Sequence, residues 1–348
     1  MPVDGQPGNA PEFLALLSFL LAFAPRDLWG GPAVSRVPGT GEQAVVLVDG
    51  RTAEPVGSDV AYVRDPGTEA AKALAAKGAR LATGDLADTG ALTRAAKGMD
   101  AVFGITVPIG ENGAAEEISQ GRALTDAAAE AGAHLIYSSV RGAASDADFT
   151  VDHASAKQVV QRYITEQGVH FTGLQPVYFM ESALNVGFNR LNAGVYAFPL
   201  SAHRKLDQVT VLDIAGLAVH AIENPEALGG RSIDIVSDSV TSLEAAEILA
   251  EAIGKDLPYE SIPIPLVRQW AGDEIADMLQ SFEDSPVHTD ITALHAEFPG
   301  VRWHSFRDCG STSRQAAPHR GAASGGSVRA MPPDEELRPS PRTRKHPG

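Results

Sequence analysis

The sequence predicts an α/β fold: a doubly wound parallel sheet of Rossmann type with a smaller C-terminal α/β lobe. Three observations lead there. From about Ala33 to Val177, short β-branched runs alternate with Ala-rich stretches of helical spacing, the pattern of βαβ units that pair strands in parallel and cover both faces of a sheet. A chain of 348 residues with 44% hydrophobic side chains can bury a sizeable core. A glycine-rich segment, Gly39-Thr40-Gly41-Glu42-Gln43-Ala44, stands at the head of the alternation and fits G-x-G-x-x-A.

In chain order, the candidate strands are Val34 to Val37, Val60 to Val63, Ala79 to Ala82, Ala101 to Thr106, His134 to Ser138 and His170 to Leu174. Helical patterns lie between them at Thr68 to Lys77, Asp88 to Lys97, Ala114 to Ala131 and Ala154 to Glu166. After Val177 the alternation loosens. Glu181 to Leu191, Val211 to Asn224, Leu266 to Phe282 and Asp290 to Glu297 look helical, Ser232 to Val236 is a strand, and Ser242 to Ile253 is a helix with Thr241 as its N-cap. The domain reading is an N-terminal extension over 1–32, a dinucleotide-binding domain over 33–177, a smaller substrate lobe over 178–309 and a basic, disordered tail over 310–348.

Charge and composition exclude several classes. The net charge of -16 gives the chain as a whole no electrostatic reason to bind nucleic acid or an anionic membrane. The tail carries seven basic against three acidic residues and no aromatic, the composition of a solvated tail. The single cysteine, Cys309, excludes an internal disulfide, and a reducing, cytoplasmic compartment fits. The scattered histidines form no HExxH, so no metal is expected. The apolar run Phe13 to Ala24 is 12 residues long, too short to span a bilayer, and no Lys or Arg precedes it as a secretory signal requires.

In the glycine segment the first Gly makes a tight turn, the second lets backbone approach a pyrophosphate, and Ala44 lets a following helix pack closely. Arg64 and Asp65 fall about 25 residues on, after the next strand, where the ribose-reading residue belongs. An arginine there suits the 2′-phosphate of NADP, so NADPH is expected over NADH. The stretch behind the glycines holds Gly50 and Pro55, which break a helix, and an irregular Gly-rich loop is the other reading.

His153 and Lys157 stand at i and i+4, one turn apart on one helix face, so both can address one ligand, or form a solvated pair. Ser138 and Ser139 end a strand at the expected crevice, as a reactive hydroxyl or as a turn cap. Glu111, Glu116 and Glu117 read as an exposed helix start, and Trp270 and Trp303 as core.

Val63-Arg64-Asp65-Pro66, Gly84-Asp85-Leu86, Tyr137-Ser138-Ser139-Val140, His153-Ala154-Ser155-Ala156-Lys157 and Leu174-Gln175-Pro176-Val177-Tyr178-Phe179-Met180-Glu181 follow one another in a characteristic order and spacing. Over roughly residues 33 to 308 the chain resembles the NmrA-like branch of the atypical short-chain dehydrogenases/reductases. The resemblance implies an NAD(P)-binding Rossmann domain, and either an NAD(P)H-dependent reductase, of quinones among others, or a redox-sensing regulator that binds the dinucleotide without turnover. It implies that Gly39, Gly41 and Ala44 form the glycine turn, and that Arg64 reads the 2′-phosphate. Asp85 would lie near the adenine, and Thr106 and Pro108 beside the cofactor. Lys157 would hold the nicotinamide ribose, with Ser138 at the strand end, and Tyr178 and Phe179 would cover the nicotinamide. The chain has one residue fewer between its glycines than the usual GxxGxxG, and His153 stands where the superfamily's Tyr-x-x-x-Lys has its tyrosine. His153 and Lys157 are thus the candidate catalytic pair. A small quinone or carbonyl compound is the expected substrate of a reductase, and a protein partner is expected if the chain is a sensor.

Overall fold

Several helices of this chain start at a Thr or Asp whose side chain caps the first turn, and the sheet lies between the helices. A computed structural model of the chain describes residues 44–48, 60–76, 78–106, 113–145, 149, 151–184, 189–284 and 289–310. Strands β1 (Ala44–Val48), β2 (Val60–Val63), β3 (Arg80–Thr83), β4 (Ala101–Ile105), β5 (His134–Ser138) and β6 (Phe171–Pro176) alternate with helices α1 (Glu69–Ala76), α2 (Thr89–Ala96), α3 (Gly113–Ala131) and α4 (Asp152–Glu166). Thr68 opens α1 by accepting from the Ala71 amide at 3.1 Å, and Asp88 opens α2 by accepting from Ala91 at 2.9 Å.

The chain continues through β7 (Tyr178–Phe179), β8 (Tyr196–Phe198), β9 (Lys205–Val209), α5 (Val211–Glu223), α6 (Pro225–Leu228), β10 (Arg231–Ile235), β11 (Asp238–Thr241), α7 (Ser242–Ile253) and β12 (Tyr259–Ser261). It ends in α8 (Ile264–Ala271), α9 (Asp273–Asp284) and α10 (Ile291–Glu297). Thr241 and Glu244 form a complete capping box on α7. The expected single helix over Leu266 to Phe282 is two, because Gly272 takes φ 90° between α8 and α9. The expected helix over Glu181 to Leu191 is a short 3-10 turn at Met180–Leu184 and another at Leu191–Ala193.

The main sheet has the order β10-β6-β5-β4-β1-β2-β3, so a strand and a helix from beyond Val177 return to it: β10 pairs with β6, and α5 packs beneath β5 and β6. Side chains alternate between its two faces. Val102, Leu135 and Tyr137 face α2, α3 and α4, while Phe103, Ile136 and Leu174 face α1, α5 and α10. A third core, built on Tyr178, Met180, Tyr196, Phe198 and Leu249, fills the region beyond β7.

One strand departs from the expected pattern. The other strands of this sheet run one way, but β1 is antiparallel to both neighbours, with Ala44 opposite Ile105 and Val48 opposite Ala101. The run Ala-Val-Val-Leu-Val, expected as the start of a helix behind the glycine turn, is therefore a strand, as its β-branched residues favour. Its last residue and Val60 lie at the same edge of the sheet, so the link to β2 needs no helical crossover. The expected strand Val34 to Val37 lies outside the described residues.

Close packing of α3 on α4 depends on Gly121, where a Cβ would stand 2.4 Å from both methyl carbons of Val160. Gly121→Val is expected to lower stability by about 1–3 kcal/mol through overpacking, measured by urea unfolding. His134, at the start of β5, is buried, donating through Nε2 to the Thr172 hydroxyl at 2.9 Å, which itself donates to the Leu228 carbonyl. Its Nδ1 has no partner among the described residues. Burial, with His170 alongside, brings its pKa from 6.5 to about 4. The unfolded chain binds this proton first, so stability is lost as pH falls from about 6.5 toward 4. Unfolding curves across that window should show His134→Gln losing less stability than the unaltered chain.

Candidate active site at the carboxyl edge

The carboxyl ends of β2 to β6 bring the candidate residues to one edge. This is where ligands bind in doubly wound sheets. Arg64 follows β2 and is half-buried, while Asp85 follows β3 and is exposed. Asp85 Oδ1 accepts from the Ala87 amide at 2.8 Å, and its carbonyl accepts from the Tyr62 hydroxyl at 3.1 Å. Gly84 is required there, because a Cβ would fall 2.0 Å from that hydroxyl.

Thr106 follows β4 and Ser138 ends β5, both buried. Lys157 reaches both from the second turn of α4: its Nζ donates to the Thr106 carbonyl at 2.9 Å and to the Ser138 carbonyl at 3.4 Å. The third acceptor is the Glu117 Oε1, at 2.9 Å. Glu117, expected on an exposed helix start, is instead 0% exposed, and Lys157 retains 11%.

The same carboxylate oxygen accepts from the Thr106 hydroxyl at 3.0 Å. Since a carboxylate only accepts, the Thr106 proton is committed to it, and the Tyr137 hydroxyl, 2.8 Å from Thr106 Oγ1, must donate to Thr106. The ammonium also lies 5.6 Å over the Tyr137 ring. Burial works against the Lys157 charge, but the neighbouring Tyr137 oxygen and Glu117 carboxylate outweigh it and hold the ammonium above its ordinary pKa. Burial likewise raises the Tyr137 phenol, against the pull of Lys157. The result is a charged, proton-filled cluster of Tyr137, Thr106, Glu117 and Lys157 just beneath the edge.

Around it, three buried polar atoms have no partner among the described residues: Glu117 Oε2, Gln120 Oε1 and the Ser139 hydroxyl. The helix periodicity held a signal for Glu117. It lies at i, i+3, i+4 and i+7 with Gln120, Gly121 and Leu124, which are all buried along α3.

The other expected residues separate. Gly39, Gly41 and Pro108 lie outside the described residues. Ala44 opens a strand, not a helix, so it does not serve as the small residue that packs a helix behind a glycine turn. His153 lies in the first turn of α4, one turn before Lys157. Tyr178 and Phe179 follow β6 as β7. Tyr178 turns into the third core, edge-on to Phe198 at 5.5 Å and to Phe282 at 6.0 Å, and burial raises its phenol, while Phe179 packs on the sheet core.

Beyond β7, the amino end of α5 gathers a second polar group. Glu181 Oε1 accepts from the Thr210 hydroxyl at 2.5 Å and the Val211 amide at 3.1 Å, and the buried Asp213 accepts from His304 Nδ1 at 2.5 Å and its amide at 3.0 Å. Burial raises both carboxyls. Among the described residues, no group of three His, Cys, Asp or Glu side chains is placed to hold a metal ion, and no helix is long and apolar enough to cross a membrane.

Thr106→Val removes the link between the Tyr137 hydroxyl and Glu117, and should cost about 1–3 kcal/mol as that hydroxyl loses its buried acceptor. Combined with Tyr137→Phe, the loss in urea unfolding should fall short of the sum of the single losses, because both act on one hydrogen-bond chain.

Residues 34–299 match the NmrA-like family. An NAD(P)H azoreductase from Xenophilus azovorans is 29% identical over 212 residues, which cover 60% of this chain and 70% of that protein. The NADPH-dependent quinone oxidoreductase of Escherichia coli, solved with NADPH, is 23% identical with a TM-score of 0.61, over 73% of this chain and 90% of that one. NmrA, a negative transcriptional regulator solved with NADP, is 16% identical with a TM-score of 0.59, over 74% and 89% of the two chains. These structural likenesses are likenesses of fold.

Proposed function

Since the chain belongs to the NmrA-like family, we propose that it is an NADPH-dependent reductase of a small quinone or carbonyl compound, with cofactor and substrate meeting at the carboxyl edge of the sheet. The observation that carries this reading is the charged cluster beneath that edge, where Lys157 draws together the ends of β4 and β5. The azoreductase relative supports a reductase chemistry.

The residues fit the two ends of a dinucleotide. Arg64 and Asp85 stand at the adenosine end, and the unpartnered Ser139 hydroxyl, beside Ser138 and near Thr106, is a polar atom of the kind a bound ligand satisfies. The middle is built differently from the usual plan. Among the described residues no helix follows β1 at this edge, because β1 enters the sheet there instead of leaving it.

A bound reduced nicotinamide would supply a hydride. Lys157 would orient the ribose beside it, and Arg64 would pair with the 2′-phosphate. The substrate would lie between the edge and the region beyond β7. A quinone that accepts a hydride needs one further proton to become the hydroquinone, and His153, one turn from Lys157, or solvent would give it.

A second reading is a sensor that binds NADP without turnover and acts through a protein partner. It is favoured by the Lys157 ammonium, whose three protons already face protein acceptors, which leaves it a poor proton donor. Nicotinamide fluorescence on adding NADPH, followed by a quinone panel and the decay of the reduced cofactor's absorbance, separates the two. Turnover supports the reductase, and binding without turnover leaves the sensor. Arg64→Ala should weaken NADPH by at least about tenfold, the size of one charged hydrogen bond, and NADH little. Equal losses would show that the 2′-phosphate is read elsewhere.

A further inference from the structure

We propose that Glu117 is a positioning residue for the cofactor: through Lys157 it sets where a ribose hydroxyl meets the carboxyl edge. The inference rests on the dinucleotide reading above and adds to it a residue on the far side of the lysine.

Four features of the pair point this way. First, Glu117 is wholly buried, yet it places two donors, the Lys157 ammonium at 2.9 Å and the Thr106 hydroxyl at 3.0 Å, on one oxygen and leaves Oε2 without a partner among the described residues. A pair built for stability alone would satisfy both oxygens, since an unpartnered buried carboxylate oxygen is costly. Second, of the two charges only Lys157 retains exposure, so the pair meets solvent through the ammonium. Third, the two carbonyls it touches belong to Thr106 and Ser138, the residues at the edge itself. Fourth, the Ser138 contact, at 3.4 Å, is much longer than the other two, at 2.9 Å.

The long contact is therefore the one a ligand hydroxyl can replace. Glu117 and the Thr106 carbonyl keep hold of the other two protons, so the third points along the edge instead of wandering with a four-carbon stem. Gly121, one turn after Glu117, sets the reach: it brings α4 close enough for Lys157 to touch α3.

The test is a double-mutant cycle on the full chain, read by nicotinamide fluorescence with NADPH and by thermal unfolding. Glu117→Gln keeps shape and removes charge, and should weaken NADPH about tenfold. In a Lys157→Met background the same change should add less than about twofold, because its effect passes through the lysine. Equal losses in both backgrounds, or no loss in either, overturn the inference. If Glu117→Gln does not fold, the Lys157 ammonium resonance of the unaltered chain decides. It must shift when NADPH is added, and an unmoved signal under saturating NADPH overturns the inference alone. A chain that binds no NADPH overturns the dinucleotide reading, and the inference with it.

Discussion

A buried positive charge needs a buried negative one, and in this protein that requirement ties four elements together. Lys157 projects from α4 under the ends of β4 and β5, and among the described residues Glu117 on α3 neutralises it there. Removing either member would strand the other in a low-dielectric setting, at a cost of several kcal/mol. The position of α3 is fixed in turn by Gly121 against Val160 and by Gly104, where a Cβ would lie 2.9 Å from Leu124. Two glycines in regular elements, unfavourable by propensity, thus let α3 approach α4 and the sheet closely.

The reversed β1 is the second constraint. It fills the place between β4 and β2 and pairs with the backbone of both, so the sheet is continuous whichever way the strand runs. Direction matters to function instead. A parallel first strand would deliver a turn and a helix amino terminus to the carboxyl edge, whereas the described part of this strand begins there with Ala44.

The region beyond β7 is anchored by carboxylates at the start of α5. Glu181 and Asp213 both sit near the positive end of the helix dipole, which partly offsets the cost of burying them. Asp213 fixes His304, Asp238 accepts from the Phe306 amide, and Asp308 caps Ser305, so the segment Arg302 to Asp308 is bound back onto α5 and β11. Arg141, in the turn after β5, pairs with Asp207 at 2.8 Å and donates to Thr289 at 2.6 Å, joining the ligand edge to this region.

Much of this was written locally. The alternation of β-branched runs with Ala-rich helical stretches placed β2 to β6 and α1 to α4 within a residue or two, and Thr241 placed the start of α7, because periodicity and capping depend on near neighbours. The family was legible too, since its motifs are short and ordered. What stayed hidden were facts about direction and depth. A strand's sense is decided by which neighbours it meets, not by its own residues, so Ala44 to Val48 could be expected as a helix and be found as a reversed strand. The fate of Glu117 was likewise decided 40 residues away, at Lys157. The sequence alone determined the α/β class, the family and the Thr241 cap. Only the tertiary structure decided that an acidic residue on an Ala-rich helix would be buried, because burial of a charge depends on the partner that the fold brings to it.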